Sequence, residues 1–148
     1  MDDKRVLLYK AILRVQEKLY RLSKIHLERF NLSDAEYGII NNLGDNALTL
    51  SELSQRMLRV NSNTTAMIDR LEARGLARRE PDPDDRRVIR VRLTEAGKKL
   101  RDEVVPKQNR FLQELLAALT DFEASALIAL LEKVEKKCLD DHYYNSKR

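Results

Sequence analysis

The side chains with the most chemistry to offer lie in residues 49–97, and their chemistry is recognition rather than bond-making. Asn61, Ser62, Asn63, Thr65 and Ala66 place amides, hydroxyls and a methyl in one short run, with Asp69, Arg70 and Arg74 further along. On one side of a helix, such small groups let the backbone come close to a duplex groove. The amides can pair with base edges, and the arginines can hold phosphate. Asp85, Arg86 and Arg87 stand in a second, strongly charged stretch, 81–87, with no apolar residue to bury. An arginine on a projecting turn can enter a narrow, strongly negative minor groove, and a carboxylate two residues before it can hold it in one direction. A charged turn by itself is more simply a solvated loop. Placed after two helices of the right kind, it reads as part of a groove-binding surface.

Those helices are legible. Thr49-Leu50-Ser51-Glu52 is a capping box, in which the Thr hydroxyl accepts the backbone N–H three residues on and Glu52 reaches back to the cap. Leu50, Leu53 and Met57 follow at helical spacing and predict a buried stripe. Residues 58–60 form a short link to a second cap at Asn61 or Ser62. The second helix, 61–74, places Thr64, Ile68 and Leu71 on one side with Met67 beside them, and Gly75 stops it as an αL residue past a helix end. Thr49, Ser51, Gln55 and Arg56 on the first helix stand where phosphate contacts are expected. Residues 76–80 and 88–93 read as two strands, because Ile89, Val91 and Leu93 alternate with Arg90 and Arg92.

In this order the motifs resemble the MarR family of winged-helix transcription regulators. The run Asp85-Arg86-Arg87-Val88-Ile89-Arg90-Val91-Arg92-Leu93-Thr94-Glu95-Ala96-Gly97 is similar to that family's wing pattern, D-x-R, then alternating apolar residues, then L-T-x-x-G. Arg70-Leu71-Glu72-Ala73-Arg74-Gly75-Leu76 is similar to the end of its recognition helix. The likeness extends over nearly the whole chain. It implies a mainly α fold with a small β-hairpin wing: a winged helix-turn-helix lobe (31–100) flanked by long N- and C-terminal dimerisation helices (1–30 and 101–148), all in one domain. It also implies a homodimer on a pseudo-palindromic operator, repression as the usual outcome, and release by a small aromatic or phenolic effector. Tyr20, Arg21, His26 and Tyr37 are the candidates to line an effector site, although a packed or surface role is the simpler reading of each.

The rest of the chain agrees. At 148 residues it is one domain by length. Residues 51–101 hold 13 basic and 8 acidic side chains, a net of +5, against +1 for 1–50 and −2 for 102–148. The positive field thus gathers on the segment expected to meet phosphate. Residues 3–30 read as one long helix, apolar on so many sides that a partner chain is expected. Residues 31–43 carry a second capping box, Ser33–Glu36, with Leu32 and Tyr37 in the staple positions and Gly44 as the stop. Beyond Gly97 the chain returns to helix. Pro106 is expected to bend or break it, and Thr120–Glu123 forms a third capping box before a last helix and a loosely docked end from residue 140.

Several classes are disfavoured. No glycine-rich phosphate loop, nucleophile-plus-base pattern or metal-ligand spacing points to an enzyme or a cofactor. Two distant histidines, His26 and His142, make no metal site. The single cysteine, Cys138, excludes a disulfide framework within the chain, fits a reducing compartment and lies far from the first helix, where some relatives sense oxidants. With no membrane-length apolar run and no signal-peptide core, a cytoplasmic location is expected. The rival functions are a protein-binding winged helix that never touches DNA and an architectural DNA binder without sequence preference.

Overall fold

Local hydrogen bonds at the helix starts set the element boundaries. In the computed structural model, which describes residues 3–57 and 63–140, the order is α1 (Lys4–Glu28), α2 (Asp34–Leu43), β1 (Leu48–Thr49), α3 (Leu50–Arg56), α4 (Thr64–Ala73), β2 (Ala77–Pro81), β3 (Ile89–Leu93), α5 (Glu95–Leu115) and α6 (Asp121–Asp140). Asp3 caps α1 by accepting the Arg5 N–H at 2.7 Å. The Ser33–Glu36 and Thr49–Glu52 capping boxes both close, and Thr120 and Glu123 exchange their bonds at the start of α6. Each box satisfies donors that a helix start leaves orphaned.

The fold is mainly α with a three-stranded antiparallel sheet in the order β1-β3-β2. Leu48 pairs with Val91, and Arg79 pairs with Val91 from the other side. The chain divides into two compact units, residues 1–111 and 112–148. The core of the first gathers Leu27 from α1, Ile39, Ile40 and Leu43 from α2, Leu53 from α3, Met67, Ile68 and Leu71 from α4, Val91 and Leu93 from β3, and Val104 from α5. Elsewhere α1 stays open: Val6, Leu7, Leu8, Tyr9, Leu13 and Ile25 are all exposed. In the second unit α6 leaves Phe122, Leu127, Leu130, Leu131 and Val134 exposed.

Several expectations are corrected. Leu50 is 41 % exposed, because it stands at the first helical position while Leu48 on β1, a strand too short to carry an alternation, supplies the buried leucine at that end. Ile89, the first residue of β3 next to the wing turn, is exposed, whereas Val91 and Leu93 are buried. Pro106 does not break the helix: α5 continues through it to Leu115. The helix after the turn begins at Thr64, with Asn63 at the cap and no side-chain capping bond. The alternative caps, Asn61 and Ser62, lie outside the described residues, as do the link 58–60 and the chain end from 141.

Where α4 hands over to the wing, the backbone of α5 comes within contact distance. Gly75 adopts φ 69° and closes α4, with the Leu76 N–H donating to the Leu71 carbonyl at 2.8 Å. Thr94 donates its hydroxyl to the Gly75 carbonyl at 2.6 Å and its N–H to the Leu76 carbonyl at 3.1 Å, and its Oγ1 accepts the Gly97 N–H at 3.1 Å. A Cβ on Gly97 would stand 1.9 Å from the Leu76 carbonyl oxygen. The T-x-x-G spacing therefore has a steric cause. Gly97→Ala is expected to destabilise the fold by about 1–3 kcal/mol. Gly38→Ala, inside α2 and meeting only the Met57 Cε at 3.4 Å, is expected to stabilise by about 0.5–1 kcal/mol. Urea denaturation of the two variants should give midpoints displaced in opposite directions.

Candidate nucleic-acid interface

The inner side of α4 is decided by Met67, Ile68 and Leu71, which are buried in the core. That leaves Asn63, Thr65, Asp69 and Arg70 exposed, with Thr64 half-buried. Ala66 is half-buried and packs against the core, so it lies on the flank of the open face rather than at its centre. On α3, Ser51, Gln55 and Arg56 are exposed, while Thr49 is half-buried and its hydroxyl accepts the Glu52 N–H at 3.1 Å.

The arginines separate into two groups. Arg74, a candidate phosphate contact, stays exposed while its Nη1 donates to the Asn31 carbonyl at 2.8 Å and lies 3.7 Å from the buried Glu36 carboxylate. It pins α4 to the turn before α2, where Asn31 adopts φ 54°. Arg79 joins β2 to α4 through Asp69 (2.7 Å) and a short bond to Glu72. Arg92 pairs with Glu80 at 2.9 Å, and Arg101 with Asp45 at 2.9 Å. Arg56, Arg70 and Arg86 make no ion pair with another described residue and stay exposed. Arg78 and Arg87, whose carboxylate partners lie two residues away, are exposed as well.

Arg87 has the geometry its sequence spacing predicts. Its Nε donates to Asp85 Oδ1 at 3.2 Å and its N–H to the same oxygen at 3.1 Å, while its side chain remains 91 % exposed. The wing turn that presents it is organised by Asp82. This carboxylate is buried. Its Oδ1 accepts the Asp84 N–H at 2.8 Å and the Asp85 N–H at 3.1 Å, and its Oδ2 accepts a short bond from Arg90 Nε. Sequence reading missed Asp82, Arg79 and Arg90 as organisers. The one local signal was an aspartate opening a Pro/Asp-rich turn, where the side chain commonly bonds the backbone two residues on.

The electrostatics follow the bonds. The Arg90 guanidinium, then the Asp84 and Asp85 N–H groups, hold the Asp82 carboxyl below the ordinary aspartate range. The Thr49 N–H, and then the charge of Arg90, hold Glu52 low. Burial, and then the charge of Asp34, push the Tyr37 phenol up.

The four candidate effector residues do not share one setting. His26 is packed: its Nδ1 lies 2.7 Å from Gln108 Oε1, and its ring stacks on Phe111 at 4.2 Å and meets Phe30 edge-on at 5.6 Å. Gln108, itself buried, donates on to Ser23 Oγ at 2.8 Å. Tyr20 is exposed on α1, Arg21 pairs loosely with Glu17 at 3.9 Å, and Tyr37 is half-buried on α2. A cavity of about 390 Å³ beside the end of α1 is lined by Lys24, Glu28, Asn31, Leu32 and Ser33, none of them among the four. Cys138 is exposed on α6. Among the described residues no cluster of three or more His, Cys, Asp or Glu could hold a metal ion, and no helix is long and apolar enough to cross a membrane.

The comparisons with known proteins fall on the same ground. A sequence profile of the MarR family matches residues 30–88. The chain is 40% identical over 91 residues to YsmB, an uncharacterised HTH-type transcriptional regulator of Bacillus subtilis (strain 168), covering 62% of this chain and 58% of that protein. It therefore spans less than two thirds of that relative's length. A MarR-like transcription regulator from Bacillus cereus ATCC 10987 superimposes with a TM-score of 0.80 at 30% identity, over 90% of this chain and 97% of the other. A cysteine variant of MarR from E. coli, solved in complex with operator DNA, superimposes with a TM-score of 0.74 at 28% identity, over 88% and 95%.

The low-lying Asp82 carboxyl has a pH signature. A folded-state value depressed below the unfolded one adds stability at pH above the ordinary aspartate range, and that stability is lost as pH falls through the depressed value. Asp82→Asn removes the anion that Arg90 holds. At neutral pH the variant should unfold at lower denaturant than the parent chain, and the gap should narrow as pH drops below about 4. Parallel denaturation curves across that range would measure it.

Proposed function

The chain belongs to the MarR family of winged-helix transcription regulators, and from that premise we propose that it is a sequence-specific DNA-binding regulator that acts as a homodimer. The observation that carries this reading is the exposed arginine at the wing tip, Arg87, held in direction by Asp85, with Arg56, Arg70 and Arg86 also exposed and without an ion pair to another described residue. Arg87 enters the minor groove flanking the site, with Arg86 on the backbone. The exposed face of α4 lies in the major groove. Asn63 and Thr65 are nearest the bases, Arg70 is nearer phosphate, and Ala66 gives close approach at the flank. Asn61 and Ser62 belong to the same proposed contact set but lie outside the described residues. Ser51, Gln55 and Arg56 on α3 add phosphate contacts, and Thr49 stands at their edge. Arg74, which also bonds the Asn31 carbonyl, belongs to the phosphate contacts at the end of α4.

The apolar residues left open on α1 are those a partner chain would cover, and α6 offers a second such set in its own unit. A two-fold dimer would hold two reading helices about 34 Å apart, one turn of DNA, on a pseudo-palindromic operator. Occupying an operator excludes other proteins from the same DNA, so repression is the proposed outcome, in the cytoplasm where that DNA is reached. A small aromatic or phenolic effector that binds the two dimer geometries unequally would release the DNA, a hundredfold difference corresponding to about 2.7 kcal/mol.

Fluorescence-anisotropy titration against the DNA upstream of its own gene and a scrambled duplex, at several salt concentrations, tests this. Preferential binding to the upstream DNA with a steep salt slope is expected. Arg87→Ala should cost about 1–3 kcal/mol of affinity, and Asn63→Ala should shrink the gap between the two duplexes. Equal binding to both would favour an architectural binder, and no binding at low salt would leave the protein-binding winged helix as the better reading.

A further inference from the structure

One arginine joins the wing to the first helix of the helix-turn-helix. Arg90 is the second residue of β3, the central strand, in register with Thr49 of β1 on one side and Glu80 of β2 on the other. Its Nη1 donates to Glu52 Oε2 at 2.9 Å and to the Ala47 carbonyl at 3.2 Å. Its Nε donates to Asp82 Oδ2 in a short bond. Glu52 Oε2 is the same oxygen that accepts the Thr49 N–H at 2.8 Å in the capping box of α3. The other oxygen of Asp82 shapes the wing turn through the Asp84 and Asp85 N–H groups, and Asp85 holds Arg87. The bonds therefore run without a gap from the start of α3 to the exposed guanidinium of Arg87.

We infer that Arg90 is a positioning residue for DNA binding: by clamping Glu52 and Asp82 it fixes the direction in which Arg87 leaves the wing, without itself touching nucleic acid. The inference rests on the proposed reading of the wing as a DNA contact. Two features distinguish Arg90 from a phosphate ligand. Its side chain is 27 % exposed against 91 % for Arg87, and its donors already meet three acceptors within the lobe. A planar guanidinium suits this place, because its fixed fork can hold two carboxylates at once, which a lysine ammonium does less well. The +5 net charge of the segment 51–101 thus contains one arginine whose effect on an outside anion is geometric.

A double-mutant cycle separates acting through Arg87 from acting alone. Arg90→Met should weaken affinity for the upstream duplex by roughly threefold to a hundredfold in the parent chain, and by less than about twofold in the Arg87→Ala background. Equal losses in the two backgrounds, or no loss in either, would overturn the inference. Amide hydrogen exchange in the DNA-free protein tests the linkage independently of any duplex. The Asp84, Asp85 and Arg87 amides should exchange about tenfold faster in Arg90→Met, while those of Ile68 and Leu71 hold their rates. Unchanged exchange at the turn would refute the linkage even if no duplex binds, whereas failure of the parent chain to bind DNA would refute only the proposed function. Glu52→Gln, which keeps a capping-box acceptor but removes one carboxylate from the clamp, guards against a variant that simply unfolds. It should move the same three amides in the same direction, and no movement there would count against the clamp.

Discussion

The close approach of the α5 backbone to the Leu76 carbonyl is the constraint on which the lobe depends. Gly97 has no room for a Cβ, and Thr94 bonds Gly75, Leu76 and Gly97 at once. This crossing joins the end of α4, the first strand of the wing and the start of α5. Because the hairpin returns to the same point from which it left, its base is fixed and its tip projects. With the base held there, Val91 and Leu93 reach the core shared with α2 and α4, and the strand ends cannot slip without turning those side chains to solvent.

A second constraint is electrostatic. A segment with a net charge of +5 repels itself, and five of its described arginines, Arg74, Arg79, Arg90, Arg92 and Arg101, are answered by a carboxylate on another element or loop. Exposed ion pairs contribute little energy individually. Several of these are half-buried and cross between elements, so their role is also to orient: Arg74 sets the turn before α2, Arg79 sets β2 against α4, and Arg90 sets the wing against α3. Within that segment the described arginines without an ion pair are Arg56, Arg70 and Arg86, and they stand on α3, α4 and the wing tip. Net charge brings a polyanion close, but only side chains that are not already paired can contact it.

The long helices raise a different problem. In the first unit α1 commits only Leu27, in its last turn, to the buried core, and Phe30 just beyond its end packs partly against it. The neighbouring His26 is held by Gln108 and stacked on Phe111, which ties α1 to α5 by polar and aromatic contacts where aliphatic ones are few. The remaining apolar surface of α1 exceeds what scattered exposed residues require, which is why the proposed function needs a second chain.

What the sequence determined by itself was whatever is settled within about four residues. The capping boxes at Ser33, Thr49 and Thr120, the glycine stops at 44 and 75, the helical stripe of α4 and the Asp85–Arg87 pairing rest on bonds between near neighbours, and all can be read from spacing alone. What only the tertiary structure decided depends on register between distant segments. β1 is two residues long and has no pattern of its own. It is a strand because β3 passes beside it. Leu48 rather than Leu50 fills the core because that pairing turns it inward. The bond from Arg74 to the Asn31 carbonyl crosses 43 residues and exists because α4 lies against the turn at Asn31. The joining of Glu52, Arg90 and Asp82 spans 38 residues on one side and 8 on the other. A side chain's partner across such a separation is chosen by how the elements pack, and sequence spacing does not carry that choice.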